Sequence, residues 1–226
     1  MKLLIFGATG VAGGWVIRKA IDHGHEITLH VRNKTRIPAD ISGSDKIINI
    51  FEGPLSDEST LSAAIQGQDA ILSAIGPSGI FTGFRNDLSG GYRLILKLMR
   101  QHGVRRILAM STVSEYDPRD SFAFSRSLAY WAVFCFARRP QKEILDITKV
   151  FREEGDDLDW TLYRVGNLLN SEEDGHVAVA GWVGVGDWSV SLERRDWANW
   201  LIQEVEREEP RWVHEMPVIY TPGGRR

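Results

Sequence analysis

A glycine turn lies between an apolar segment and a helical one at the very start of the chain. Residues 2–6 read Lys-Leu-Leu-Ile-Phe, and Gly7-Ala8-Thr9-Gly10-Val11-Ala12-Gly13 follows with the spacing G-x-x-G-x-x-G. In such a turn the first glycine permits a tight bend and the second lets backbone approach a pyrophosphate. The third lets the helix pack closely on the strand. The helix start then offers unpaired N–H groups and a partial positive charge to a phosphate. Strand, glycine turn and helix in that order predict a βαβ unit with a dinucleotide seat at its first crossing.

The rest of the chain continues the same grammar. Apolar or β-branched runs predict strands over residues 2–6, 26–31, 46–51, 69–75, 106–110 and 160–164. Helical patterns lie between them over 11–23, 59–66, 91–102 and 140–154. In the first helix Val11, Trp15 and Ala20 share a face. Near-continuous apolar strands fit a parallel sheet covered on both faces. The expected fold class is therefore α/β, a Rossmann-type doubly wound parallel sheet. At 226 residues one domain is expected over 1–226. After Gly166 the pattern changes to an acidic loop over 171–175, a glycine-interrupted stretch over 177–186, a helix over 193–206 and a last strand over 218–220. Residues 167–226 read as a small cover over the substrate side of the sheet, where open α/β sheets bind ligands.

The end of the second strand bears on the choice of dinucleotide. An NAD site usually places Asp or Glu there, about 20 residues after the turn, for the ribose 2′-hydroxyl. This chain reads Val31-Arg32-Asn33-Lys34-Thr35-Arg36, with no carboxylate and three cations. Guanidinium groups fork well onto phosphate, so Arg32 and then Arg36 are the expected partners of a 2′-phosphate, and NADP(H) is the expected cofactor.

These motifs, with Ala74-Ile75-Gly76, Met110-Ser111-Thr112 and Asp159-Trp160-Thr161-Leu162-Tyr163-Arg164, resemble the atypical short-chain dehydrogenases. More narrowly they are similar to the NmrA-like and biliverdin/flavin-reductase group, over about residues 2–206. The resemblance implies a Rossmann fold binding NADP(H). It places Gly7, Thr9, Gly10 and Gly13 on the pyrophosphate, with Val11 and Ala12 in the same turn. It places Arg32 and Arg36 on the 2′-phosphate, and Gly76 and Ser111 near the nicotinamide. Leu55, Ile75 and Thr112 complete the expected cofactor contacts. Three positions depart from the group. Its Tyr-x-x-x-Lys pair is missing: Tyr92, Tyr116, Tyr130, Tyr163 and Tyr220 are followed four residues on by Leu96, Asp120, Phe134, Asn167 and Gly224. Pro54 stands where an acidic residue often follows the third strand, and Arg164 is followed by Val165 in place of proline.

Hydride transfer needs positioning more than protein chemistry, because the cofactor carries the reactive atom. Ser111, Tyr130 and Lys142 are the candidate catalytic groups. Each has a plainer alternative, as a strand-end cap, a packed aromatic and a solvated lysine respectively. Tyr116 is a further candidate proton donor with the same alternative as Tyr130. Residues 128–137 are apolar and rich in aromatics, Trp131 among them. They read either as a buried or homodimer-forming helix or as a lid over a flat apolar pocket. Trp182, Trp188, Trp197 and Trp200 belong either to that roof or to the core beneath.

No metal site is expected, since His23-x-His25 flanks Gly24 at a helix end and no helical His pair exists. A net charge of 27 − 30 = −3 argues against nucleic acid as a partner. Cys135, the one cysteine, cannot close an internal disulfide. The apolar start is too short for a secretory signal, which needs about 7–15 such residues. No run approaches the roughly 20 that span a bilayer. A cytoplasmic protein acting on a small molecule is expected. The leading expectation is an NADPH-dependent reductase of a small, apolar, conjugated or quinone-like compound. The alternatives are a non-redox isomerase, epimerase or cyclase on the same fold, and an NADP(H)-sensing regulator.

Overall fold

A computed structural model describes residues 1–76, 87–123, 138–170 and 177–222. The predicted strands appear as β1 (Lys2–Phe6), β2 (Glu26–Val31), β3 (Ile47–Glu52), β4 (Ala70–Ser73), β5 (Arg106–Thr112) and β6 (Asp159–Val165). Short strands β7 (Asn167–Leu169), β8 (Val179–Gly181), β9 (Ser191–Glu193) and β10 (Val218–Tyr220) follow. The helices are α1 (Val11–Asp22), α2 (Ala39–Ser42), α3 (Glu58–Ile65), α4 (Leu88–His102), α5 (Arg138–Glu154) and α6 (Arg194–Val205). Eight strands form one sheet in the order β3-β2-β1-β4-β5-β6-β10-β8, and β7 pairs with β9 apart from it. Every neighbour in the large sheet runs parallel except β10 with β8. This is the doubly wound Rossmann arrangement. Strand order reverses between β1 and β4, which opens a crevice at their carboxyl ends.

Side-chain alternation divides the core. Leu3, Ile5, Leu29 and Leu108 face α1 and α6, while Leu4, Phe6, Ile107 and Leu162 face α3, α4 and α5. Strand β3 lies on the outer edge, so Ile48 and Ile50 stay 45% and 40% exposed despite the apolar sequence. The buried stripe of α1 also differs from expectation. Val11 is 67% exposed, and Gly13, Val16, Ile17 and Ala20 turn inward instead. Gly13 abuts the backbone of Gly7 and Ala8, and that contact sets the helix rotation. The i, i+3, i+4, i+7 series from Gly13 is then the one that meets the sheet.

Helix α4 starts at Leu88, three residues before the predicted 91, because Asp87 caps it by accepting from Gly90 N at 2.7 Å. Strand β4 ends at Ser73, two residues before the predicted end, which frees residues 74–76 from the ladder.

The late region does more than cover the sheet. Strand β10 extends the sheet in parallel with β6, and α6 packs on α1. Trp197 and Trp200 lie in the main core, with ring centroids 5.9 and 6.5 Å from Tyr163. Trp188 belongs to a smaller cluster with Val113, Val183 and Tyr220. Arg164 ties this region to β6. Its fully buried guanidinium donates to Asp120 Oδ2 at 2.6 Å and Oδ1 at 2.8 Å, to Met216 O at 2.7 Å and to Glu115 O at 2.9 Å. Asp120 in turn accepts from Val183 N at 3.0 Å. Burial raises the Asp120 carboxyl's pKa, but the Arg164 bonds outweigh that and hold it below the ordinary value. Among the described residues no helix is long and apolar enough to cross a membrane.

Candidate functional site

A cleft of about 830 Å³ opens at the β1/β4 crossing. Its floor is the glycine turn. Gly7 adopts φ +79°, and a Cβ there would lie 2.7 Å from the Ala74 carbonyl carbon and oxygen. Gly7 O accepts from Gly10 N at 3.1 Å, which closes the turn. Gly10 caps α1 with no side-chain bond, and the first turn of the helix carries no acid. The cap positions of α3 and α4 are filled by Asp57 and Asp87, which leaves α1 as the helix whose first N–H groups face the cleft without a side-chain acceptor.

Among the expected cofactor residues, Gly7, Thr9, Gly10, Arg32, Arg36, Leu55, Ile75 and Gly76 line this one cleft. Val11, Ala12 and Gly13 form the first turn of α1 at its edge. Arg32 follows β2 directly. A 3-10 turn over Lys34–Arg36, capped by Asn33 Oδ1 accepting from Thr35 N at 2.9 Å, returns Arg36 to the same side. Both guanidiniums are exposed, and neither has an ion-pair partner among the described residues. Gly76 sits at the far end, where a Cβ would lie 2.7 Å from the Met110 methyl.

Ser111 and Thr112 are not among the described lining residues. Strand alternation turns Ser111 toward α5, where it is buried and donates to Glu115 Oε2 at 2.7 Å. Thr148 of α5 donates to the same oxygen at 2.7 Å. Burial pushes the Glu115 carboxyl's pKa up, against the pull of those two hydroxyls. Thr112 bonds to the Ser114 hydroxyl. Lys142 is exposed on α5. Tyr130 and the apolar run over 128–137 lie outside the described residues. Tyr116, the other candidate donor, is 58% exposed.

Several residues not anticipated from sequence belong to the site. Gly90, Gly91 and Leu94 of α4 line the cleft, because Gly91 lets α4 approach Leu55, whose Cβ would meet a Cβ there at 2.8 Å. Ser73, beneath the cleft, shares a 2.6 Å hydrogen bond with the Tyr92 hydroxyl and accepts from Tyr163 Oη at 2.7 Å through its carbonyl. Burial pushes the Tyr92 phenol up to about 12 and Tyr163 well above its ordinary value. Both phenols therefore act as neutral buttresses.

His30 is another residue not anticipated from sequence. It lines the cleft at 3% exposure, with Nε2 buried and unpartnered. Burial lowers its pKa from 6.5 to about 4, against a modest opposing pull from Asp57. The unfolded chain takes up this proton near pH 6.5 and the folded chain only near 4. The ring's contribution to stability is whole above pH 6.5 and is lost as the pH falls toward 4, by roughly 3 kcal/mol. His30→Leu is expected to flatten the fall of the denaturant midpoint across that window. A slope equal to the parent's would show that another group titrates there.

A family profile described as NAD(P)H-binding matches residues 7–208. The chain is 36% identical over 74 residues to the probable pinoresinol-lariciresinol reductase 3 of Arabidopsis thaliana, covering 33% of this chain. That alignment spans 24% of the plant protein's length. A short-chain dehydrogenase/reductase from Veillonella parvula, solved in complex with NADP, matches with a TM-score of 0.76 at 18% identity, over 98% of this chain and 95% of that one. ChuY, an anaerobillin reductase from Escherichia coli O157:H7, matches with a TM-score of 0.71 at 16% identity over 100% of both chains. At such identities the solved structures establish the fold alone, a Rossmann-type α/β fold. Because the profile runs from the first glycine of the turn to beyond α6, the chain belongs to the NAD(P)H-binding family.

Proposed function

We propose that the protein is an NADPH-dependent reductase acting on a small, apolar, conjugated or quinone-like compound. The observation that carries this reading is the pairing of Arg32 and Arg36, exposed and without a described ion-pair partner, with the glycine turn in one cleft. Two cations at the ribose end match the extra phosphate of NADP(H) and leave an NAD-type hydroxyl without its usual carboxylate. The residues present fit a dinucleotide, since the glycine turn has no side chain in the way and the start of α1 offers N–H groups free of a side-chain cap. When bound, the cofactor supplies hydride at nicotinamide C4. The chain's part is to hold the pyrophosphate on Gly7, Thr9, Gly10 and the first turn of α1, and the 2′-phosphate on Arg32 and Arg36. Ile75 and Gly76 border the opposite end, and Ser111, turned away toward Glu115 and α5, braces β5 beneath that end without reaching the substrate. Relatives named as reductases, one for pinoresinol-lariciresinol and one for anaerobillin, support the redox reading.

The test is a fluorescence titration with NADPH and NADH, followed by turnover on a panel of flavins, quinones and enones. Arg32→Glu is expected to weaken NADPH by about 1–3 kcal/mol, roughly tenfold or more, while NADH affinity changes far less. Equal losses for both cofactors would move the phosphate site elsewhere. Tight NADPH binding with no oxidation across the panel would remove the reductase and leave a binding protein. The missing Tyr-x-x-x-Lys pair favours one other outcome, a product of unchanged redox state formed without net NADPH consumption.

A further inference from the structure

At the amino-terminal edge of the sheet, opposite the cleft, three metal-ligating side chains converge. His23 is the C-cap of α1 and His25 precedes β2. Gly24 between them takes φ +78°, which lets both rings turn to one side. There they meet Glu206, the C-cap of α6. His23 Nδ1 lies 3.0 Å from Glu206 Oε1 and 3.2 Å from Oε2, and His25 Nε2 lies 3.0 Å from Oε1. One ligand atom from each of the three residues lies within 4.8 Å of the others.

We propose that His23, His25 and Glu206 form a binding site for a divalent transition-metal ion of the zinc type. Two imidazoles and a carboxylate are a common donor set for such ions. Metal–ligand bonds of about 2.0–2.2 Å put neighbouring ligand atoms roughly 3–3.5 Å apart, and both His–Glu separations already fall there. A second feature sets this cluster apart from an ordinary ion pair. The His25 ring is only 5% exposed, yet Nε2 makes no hydrogen bond although the carboxylate oxygen is 3.0 Å away. The approach is therefore off the axis of the ring nitrogen. Two ligands of one ion meet in that way, because both lone pairs point at the ion and not at each other. A buried nitrogen whose one close neighbour is an off-axis carboxylate is poorly satisfied, and an ion between the two would satisfy both. The other ring nitrogen, Nδ1, is 3.4 Å from the Met1 amino group.

The ion would clamp the end of α1 to the end of α6, two helices that already pack together. It adds nothing to the cleft's chemistry, so this inference stands apart from the proposed reductase activity. The spacing of His23 and His25 conceals the site in the sequence, because the third ligand is 183 residues from His23.

The experiment uses the full chain without a histidine tag, titrated with Zn²⁺ by calorimetry and with Co²⁺ by visible absorption. One ion per chain is expected, bound in the micromolar range, with a rise in thermal midpoint and cobalt bands of a nitrogen–oxygen site. His23→Ala and Glu206→Gln alter partly exposed residues and are expected to fold. Each should weaken binding by more than about tenfold, since even an outer-shell change at a metal site costs 10–100-fold. His102→Ala serves as the control and should bind as the parent does. The proposal is overturned if neither ion binds saturably at micromolar concentration. It is equally overturned if binding survives unchanged in His23→Ala and Glu206→Gln.

Discussion

Replacing Gly13 with alanine is expected to cost about 3 kcal/mol of stability, the upper part of the range for overpacking, and to abolish tight NADPH binding. The new methyl carbon would lie 2.2 Å from Gly7 O, 2.8 Å from Gly7 C and 3.0 Å from the Ala8 Cα. All three atoms are backbone, and they belong to the turn that caps the helix. The clash can be relieved only by driving α1 away from β1, which moves its first N–H groups out of the cleft. Gly14→Ala is the internal control. Its methyl would meet the Arg18 Nη1 at 3.2 Å and the Pro38 Cγ at 3.7 Å, the first being the tip of a flexible side chain. Alanine is favoured over glycine in a helix by about 1 kcal/mol, so that variant should remain within roughly this margin of the parent. Denaturant midpoints and NADPH titrations on the two variants check the contrast. Equal behaviour would mean that the turn and helix are not in the close contact described.

The second large effect concerns Arg164. Arg164→Met is expected to destabilise the protein by about 3–5 kcal/mol, because it leaves the Asp120 carboxylate buried and uncompensated. It also strips donors from the Met216 and Glu115 carbonyls. Adding Asp120→Asn should restore part of the loss, since the amide keeps an acceptor for Val183 N without the charge. Chemical denaturation of both variants measures this. A loss below about 1 kcal/mol for Arg164→Met would place water or another cation beside Asp120.

How much of this was legible in the sequence follows from how local each feature is. The turn from Gly7 to Gly13 could be read because its glycine spacing expresses close approaches within a few residues of chain. The basic run at 32–36 could be read for the same reason, since position after a strand places it at the sheet's rim. The apolar pattern overruns β4 because Ala74 and Ile75 are as apolar as the ladder they leave. The phase of Ser111 was not legible, because whether it faces the cleft or α5 depends on where β5 sits relative to Thr148. The contribution of α4 to the cleft rests on Gly91 meeting Leu55, 36 positions earlier in the chain, a contact that no local pattern announces. The sequence alone leaves the late tryptophans open between roof and core, and Tyr163 decides for Trp197 and Trp200 by supplying a partner inside the core.

The two ends of the cleft also differ in stiffness. At Gly13 the obstacle to a side chain is peptide backbone, whereas at Gly76 it is the terminal methyl of Met110, on an unbranched thioether that swings at little cost. One end is thus a fixed anvil and the other a yielding cushion. Change at position 76 or 110 reshapes what the yielding end admits while leaving the anchored end in place.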